Sequence, residues 1–446
     1  MYRIAHRSLA ILGSALSLTI IIGSCALAPA SPASPQLSWP TAVVALQDAP
    51  LVEIEPAAMP TLSNANVTPV PTLRPLPTAL PAVAWPTTRP AGPAGLAFPV
   101  RVPRITYGAH AHLFWTDRST PLSLAQNGGF RWIRQQIHWR DQEGPAGNYA
   151  WGAELDEIVA SVAANDLKLL ISIVRSPAFY GRGGGDGMPE DPQALGNFVA
   201  ALVSRYKGNI GAIQIWNEQN LAHENGGAVA TEDAHRYVEL LKVAYTRIKE
   251  VDPNVIVVSG APASTAVDAP GVAISDMRYY HAMFSYENGV IRNYVDALGV
   301  HPGGSANPPE TLWPAQPSSA QGWTDKPSFY FRNVENVRRL MTDYGMDSVP
   351  VWITEFGWAT PNSTPGFEFG NQVSLEVQAQ YIVGAMRYAE DNYPWVDAMF
   401  LWNLNFAPLR AQNGEPNHEQ ASFGILNADF SPRPAYLAVR DHLAGR

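Results

Sequence analysis

The alternation of short apolar runs with amphipathic stretches, from Arg104 to the C-terminus, limits the possible folds more than any other feature of this chain. Eight runs are rich in Val, Ile, Leu and aromatic residues, which favours buried strands. They cover residues 105–110, 132–137, 168–174, 210–216, 255–259, 295–300, 349–354 and 398–403. Strands separated by helices are typical of parallel α/β folds, and eight such units predict one (β/α)8 barrel.

The helical segments between these runs carry apolar residues at helical spacing. One of them begins with Asp191 and Pro192, a typical N-cap followed by proline at the first helical position. The predicted helices cover residues 155–165, 192–206, 231–249, 277–286, 333–344, 375–392 and 434–443. A doubly wound open sheet is the structural alternative, but no glycine fingerprint marks the strand-order switch at which such a sheet binds its ligand.

Two glutamates stand at the ends of two apolar runs. Glu218 follows Asn217 after residues 213–216, and Glu355 follows residues 351–354. Barrels of this type hold their catalytic groups where the strands end, and the fourth and seventh strands lie on opposite sides of that mouth. A buried carboxylate is costly unless it is paired or functional, so a structural salt bridge is the alternative for each. Two facing carboxylates are the equipment needed to cleave a glycosidic bond.

Further motifs accompany the two glutamates. They are Phe-Arg-Trp-Ile-Arg at 130–134 with Trp139, Gly-Asn-Tyr-Ala-Trp at 147–151, Phe-Gly-Ile-Leu at 423–426 and Pro-Arg-Pro-Ala-Tyr at 432–436. Together they resemble the clan A retaining glycoside hydrolases, nearest the cellulase-type family 5 and the xylosidase/iduronidase-type family 39. The resemblance covers about residues 105–443 and implies a TIM barrel with glycosidase activity.

The resemblance also implies roles for individual residues. Glu218 would be the acid/base and Glu355 the nucleophile, while Asn217 would hydrogen-bond the sugar 2-hydroxyl. Other expected substrate contacts are His301, which would orient the acids, Trp402, which would form the floor of the sugar site, and Arg134 and Trp139. For His301 and Trp402, ordinary core packing is the alternative, and His110, His112 and His138 are further candidates to line the mouth.

The residues alone leave the two glutamate roles open. A nearby cation such as Arg134 favours the ionised form of whichever carboxylate it contacts, and that carboxylate is the better nucleophile. The chain also departs from the family pattern after His301, because Gly303 and Gly304 stand where many relatives carry an aromatic residue, usually tyrosine. This departure leaves open which group supports the nucleophile from the sixth strand.

The N-terminus resembles an export signal. Arg3, His6 and Arg7 precede an apolar stretch at residues 9–22, which is shorter than the roughly 20 residues of a membrane-spanning helix. Ile-Gly-Ser-Cys at 22–25 resembles a bacterial lipoprotein box, which predicts a signal peptide at 1–24, lipidation of Cys25 and a lipid anchor at the extracellular face of a bacterial membrane. The alternative is an ordinary signal cut after residues 26–28, with Cys25 discarded.

Residues 25–103 differ in composition from the rest of the chain. Between Pro29 and Pro103 lie 17 of the 39 prolines, mixed with Ala, Thr and Ser. Such a segment buries too little apolar surface to fold, and its prolines favour an extended chain. We therefore expect a disordered linker at 25–103 that tethers a catalytic domain at 104–446.

Charge and motif spacing restrict the partners. The net charge of −9, without a basic stripe, argues against nucleic-acid binding. His223-Glu224 lacks the second histidine of a zinc helix, so we expect neither a metal nor a cofactor. The sequence therefore predicts a monomeric, exported retaining glycosidase acting on a β-linked saccharide. The alternatives are a non-catalytic, surface-tethered carbohydrate-binding lipoprotein on a degenerate barrel and a two-lobed solute receptor.

Overall fold

A computed structural model describes residues 105–445 of the chain. The predicted signal peptide, Cys25 and the proline-rich linker lie outside the described residues.

Eight parallel strands form a nearly closed ring. They are β1 (Thr106–His110), β2 (Trp132–His138), β3 (Lys168–Val174), β4 (Ala212–Ile215), β5 (Ile256–Ser259), β6 (Leu298–Val300), β7 (Val351–Phe356) and β8 (Val396–Leu401). The neighbour order is β5-β4-β3-β2-β1-β8-β7-β6, so β1 pairs with both β2 and β8. Ala297, just before β6, forms a parallel bridge with Val258 of β5. The barrel prediction is therefore confirmed, and the doubly wound alternative is wrong.

Helices connect the strands around this ring. They are α1 (Ser119–Asn127), α2 (Ala153–Ala164), α3 (Pro192–Arg205), α4 (Asp233–Val251), α5 (Asp276–Ser285), α6 (Val334–Asp343), α7 (Leu375–Asn392), α8 (Phe406–Gln412), α9 (Glu419–Phe423) and α10 (Pro434–Ala444). The Asp191 carboxylate accepts a hydrogen bond from the backbone N–H of Gln193, as an N-cap should. Within residues 105–445, no helix is long and apolar enough to cross a membrane.

Large and small side chains alternate to fill the bottom of the barrel. The Trp132 and Trp352 rings lie 5.3 Å apart between centroids, and Trp352 lies 5.7 Å from Phe400. Gly108 of β1 faces them, and a Cβ there would lie 2.6 Å from the Phe400 ring, so only glycine fits. These side chains form a buried apolar floor, and the polar residues further along the strands lie above it.

The ends of β4 and β7 differ from the predicted boundaries. β4 ends at Ile215, so Glu218 lies in the turn beyond it, whereas β7 continues through Glu355 to Phe356. Between the pairs Ile353–Met399 and Phe356–Leu401, β7 has two residues where β8 has one. Such a bulge changes the direction of neighbouring side chains. Thr354 and Glu355 therefore both contact groups inside the barrel, although strict alternation would place one outside.

Candidate active site

Arg134 lies at the centre of the polar layer above the barrel floor, and its side chain is fully buried. Its Nη1 donates to Glu355 Oε1 at 2.7 Å, and its Nη2 donates to Asn217 Oδ1 at 2.7 Å. Its Nε donates to Gln214 Oε1 at 2.8 Å, and Ser172 Oγ lies 3.3 Å from Nη2. The rigid fork of the guanidinium thus fixes residues from β3, from β4 and the turn after it, and from β7 in one arrangement.

His110 and Trp402 complete one side of this layer. His110 Nδ1 contacts Arg134 Nη1, and burial together with the Arg134 charge lowers the pKa of His110 well below its usual value of 6.5. A neutral imidazole has one acceptor nitrogen, which suits the guanidinium donor. The Trp402 ring meets His110 edge-on, with 4.6 Å between ring centroids. Through His110, Trp402 belongs to the same cluster as Arg134.

His301 lies between the two glutamates. Its Nδ1 is 3.2 Å from Glu218 Oε1, and its Nε2 is 3.8 Å from Glu355 Oε1. Burial and the Arg134 charge lower the pKa of His301 well below its usual value, so the ring is neutral at pH 7. The Ser264 hydroxyl donates to the backbone carbonyl of His301 and accepts a hydrogen bond from the N–H of Gly303, which holds the end of β6 in place.

The two carboxylates are close to each other. One oxygen of each glutamate and one nitrogen of His301 lie within 4.8 Å of one another. Three such ligands raise the question of a metal ion, but opposite nitrogens of the ring face the two carboxylates, and Arg134 already contacts Glu355. A single ion could not use both ring nitrogens. The arrangement therefore fits a carboxylate pair better than a metal centre.

The turn that carries Glu218 has an unusual backbone. Trp216 and Glu218 have φ angles of 69° and 51°, in the left-handed region that residues other than glycine rarely adopt. The Glu218 N–H donates to the Ala261 carbonyl, and Trp216 Nε1 donates to the Glu224 carbonyl. Such conformations cost energy and persist where surrounding contacts enforce them, commonly at functional sites.

Trp139 is not part of this group. Its ring is fully buried and stacks between Tyr180 and Phe198, with centroids 5.1 and 5.0 Å away. Its Nε1 donates to a carboxylate oxygen of Glu143. The side chain predicted to contact substrate instead packs the loops after β2 and β3 against α3.

Gly304, the second glycine after His301, is explained by Trp358. A Cβ at Gly304 would lie 2.4 Å from the Trp358 ring, so this position has no room for an aromatic side chain. Arg134 and His301 both face Glu355. The sequence left open which group contacts Glu355 from the sixth strand. In the structure, contacts come from Arg134 of the second strand and from His301 at the end of the sixth.

Gln214 and Ser172 are site residues that the sequence reasoning missed. Gln214 accepts from Arg134, and its amide nitrogen donates to Thr354 Oγ1 at 3.2 Å. The available signal was a polar residue between Ile213 and Ile215 in an otherwise apolar strand, which is costly to bury without partners.

Replacing Arg134 with methionine should destabilise the fold by about 3–5 kcal/mol, because a buried Glu355 charge would lose its partner. The exposed Arg440–Asp441 pair is the control, since loss of such a pair costs less than about 1 kcal/mol. Urea unfolding of the two variants at pH 7 makes the comparison. Similar losses for Arg134→Met and Arg440→Ala would show that the Arg134 network contributes little.

His112 should make stability depend on pH. Burial lowers its pKa from 6.5 to about 4, which outweighs the raising effect of a bond with the Phe114 backbone. Below pH 6.5 the unfolded chain therefore binds a proton that the folded chain does not, so this contribution is complete above pH 6.5 and falls towards pH 4. The loss is about 3 kcal/mol. Urea unfolding across this range should show a shallower decline for His112→Gln than for wild type, and parallel curves would contradict the assignment.

Comparisons with solved structures agree with the fold. The chain is similar to a family 39 glycoside hydrolase from the gut symbiont Bacteroides cellulosilyticus WH2, with 18% identity, a TM-score of 0.56 and coverage of 76% of this chain and 64% of that one. It is also similar to a glucosidase from Croceicoccus marinus, with 15% identity, a TM-score of 0.54 and coverage of 78% and 69%. A triple mutant of an endo-β-1,4-glucanase from Xanthomonas axonopodis pv. citri shows 13% identity, a TM-score of 0.50 and coverage of 77% and 100%.

No protein-family model matches this chain, and no curated protein matches it. The chain spans 64% of the length of the family 39 structure. At these identities the shared feature is the fold, and the predicted resemblance to barrel glycoside hydrolases is confirmed at that level.

Proposed function

We propose that this protein is a retaining glycoside hydrolase. The observation that carries the proposal is the pair of buried carboxylates, Glu218 and Glu355, with oxygens within 4.8 Å of each other at the mouth of a barrel. Retaining enzymes hold their carboxyl groups about 5–5.5 Å apart, whereas inverting enzymes leave about 6.5–9.5 Å for a water molecule. The short separation favours the retaining mechanism.

The contacts of Arg134 support Glu355 as the nucleophile. The guanidinium stabilises the ionised form of Glu355, which would attack the anomeric carbon. Glu218, with a buried carboxylate beside neutral His301, is suited to hold a proton and deliver it to the leaving oxygen. Glu218, now ionised, would then take a proton from the water that releases the sugar from Glu355.

Asn217 and Trp402 are the proposed sugar contacts. Asn217 Oδ1 is held by Arg134, which leaves its amide N–H groups to donate to the 2-hydroxyl of the sugar. Trp402 lies directly after β8 with its buried ring edge-on to His110, on the same side of the site as Arg134. The solved structures of similar fold include a glucosidase and an endo-β-1,4-glucanase, so a β-linked glycoside or polysaccharide is the proposed substrate class.

A screen of aryl β-glycosides and β-linked polysaccharides tests this proposal. We expect hydrolysis of at least one of them, with the β-anomer as first product by proton NMR. Inversion would exclude the double-displacement mechanism. Sugar binding by calorimetry without turnover, unchanged in Glu218→Ala, would identify the protein as a non-catalytic carbohydrate-binding protein instead.

We also propose that the chain is exported and anchored by a lipid on Cys25, and that it acts as a monomer. The support is the basic and apolar N-terminus followed by Ile-Gly-Ser-Cys at residues 22–25. The wild-type chain expressed in a bacterium should partition into detergent, and Cys25→Ser should move to the aqueous phase. Equal partitioning of the two would exclude the anchor.

A further inference from the structure

His301 is placed to couple the two glutamates. Its ring is fully buried and its opposite nitrogens face different carboxylates, Nδ1 towards Glu218 at 3.2 Å and Nε2 towards Glu355 at 3.8 Å. The first separation is within hydrogen-bond range. The second is longer and acts through charge and dipole alone.

The ring is neutral, which limits what it can do for its neighbours. The charged and titratable groups that face it are Glu218 from the turn after β4, Glu355 from β7, Arg134 from β2 and His110 from β1. Burial and the positive charge of Arg134 both disfavour the imidazolium form. A neutral imidazole carries one N–H donor and one acceptor nitrogen, so it can donate to only one of the two carboxylates.

We propose that His301 makes Glu218 and Glu355 share a single proton, with the tautomer of the ring following the position of that proton. In the resting form the Glu218 O–H donates to Nδ1, and the Nε2–H points at the ionised Glu355. This inference deepens the proposed function and rests on it for its catalytic meaning.

The alternative position of the proton conserves charge and atoms. The alternative state has an Nδ1–H bond and a Glu355 O–H bond in place of the Glu218 O–H and His301 Nε2–H bonds. Because Nε2 and Glu355 Oε1 are 3.8 Å apart, the two must approach more closely for the proton to cross. Arg134 decides between the two positions, because its contact with Glu355 favours the ionised form there. The resting enzyme therefore keeps its proton on the proposed acid.

The other protonation states are disfavoured by the same ring. If both glutamates are ionised, one of them faces the lone pair of the acceptor nitrogen. If both are protonated, one O–H proton faces the ring N–H. A single shared proton is therefore favoured over a wider pH range than two independent glutamates would allow.

The tautomer can be read directly by nitrogen-15 NMR of the histidine-labelled full chain. The sequence has 10 histidines, and loss of one signal pair in His301→Asn assigns the ring. Between pH 6 and 8 we expect a neutral ring with the proton on Nε2. In Glu355→Gln, the negative charge that disfavours ionisation of Glu218 is gone, so Glu218 should ionise and the ring proton should move to Nδ1.

Glu224→Gln is the matched control, because Glu224 is also buried and follows β4 but contacts Arg175 and His223. It should leave the His301 tautomer unchanged. An Nδ1–H ring in wild type, an imidazolium at pH 7, or the same tautomer in wild type and Glu355→Gln would overturn the inference. None of these readings depends on hydrolysis, so they are separate from the tests of the proposed function.

Two substitutions of His301 give a second test if Glu355→Gln does not fold. An asparagine amide occupies the place of Nδ1 and a glutamine amide the place of Nε2, so each can contact one glutamate but neither spans both. We measure kcat/KM against pH on the aryl glycoside that wild type cleaves fastest. In both variants the alkaline limb of this profile should shift to lower pH by about one unit. If the kcat/KM profile of His301→Asn spanned the same pH range as that of wild type, His301 would only orient Glu218.

Discussion

Glu355→Ala should lose hydrolysis of an aryl β-glycoside by a factor on the order of 10⁴–10⁶ in kcat, since the attacking atom is gone. Azide should restore part of the rate, because a small anion fits the space left by the carboxylate and can attack the anomeric carbon. The product should then be the α-glycosyl azide, formed by one displacement. Stopped assays with and without azide, followed by proton NMR of the product, make the measurement.

The control for this experiment is Glu355→Gln. It keeps the size of the side chain and can still accept a bond from Arg134, but it leaves no space for azide and no charge to attack. It should be inactive with and without azide, and circular dichroism should show a folded barrel. Wild-type rates in Glu355→Ala would remove Glu355 from the mechanism.

Glu218→Ala should lose activity by about 10²–10⁴-fold, the usual contribution of a general acid or base. The loss should depend on the leaving group. The leaving group of a dinitrophenyl glycoside needs little protonation, so the glycosylation step should be nearly unaffected. A burst of dinitrophenolate should then precede slow turnover. A glycoside with a poor leaving group should lose rate from the first turnover.

Azide distinguishes the two glutamates in this variant. It should react with the sugar held on Glu355 and give a β-glycosyl azide, the opposite anomer from that formed by Glu355→Ala. If the two variants gave the reverse pattern, Glu218 would be the nucleophile and Glu355 the acid. The contact between Arg134 and Glu355 argues against that exchange.

The strands could be predicted because each is a run of apolar residues whose burial dominates its local energetics. β3, for example, has the predicted bounds, Lys168–Val174. Helix α1 was missed because Ser119–Asn127 buries only Pro121, Leu122 and Ala125 and has no side-chain cap. A short helix with one buried patch leaves little periodicity to detect.

The candidate site was predictable where function follows from position along a strand. Glu218, Glu355 and His301 each come at or near a strand end, and parallel strands bring such ends together. The bulge that turns Glu355 inward is not visible in the residues of β7, since it depends on the register with β8.

Contacts between distant segments explain the remaining errors. Trp139 belongs to a motif whose position suggested substrate contact, but Tyr180 and Phe198 cover both faces of its ring. Gln214 belongs to the site because it hydrogen-bonds Arg134 and Thr354, which come from other strands. Such pairings are set by tertiary packing and leave no local pattern.

In the proposed mechanism, Glu355 becomes covalently attached to the sugar while Glu218 protonates the leaving group. A 2-fluoroglycoside of the preferred sugar, with a dinitrophenyl leaving group, slows release of the intermediate so that it accumulates. Mass spectrometry of the intact chain and of its peptides should then find one added 2-fluoroglycosyl group, on Glu355. Label on any other residue, or no label on a chain that hydrolyses the parent glycoside, would contradict this mechanism.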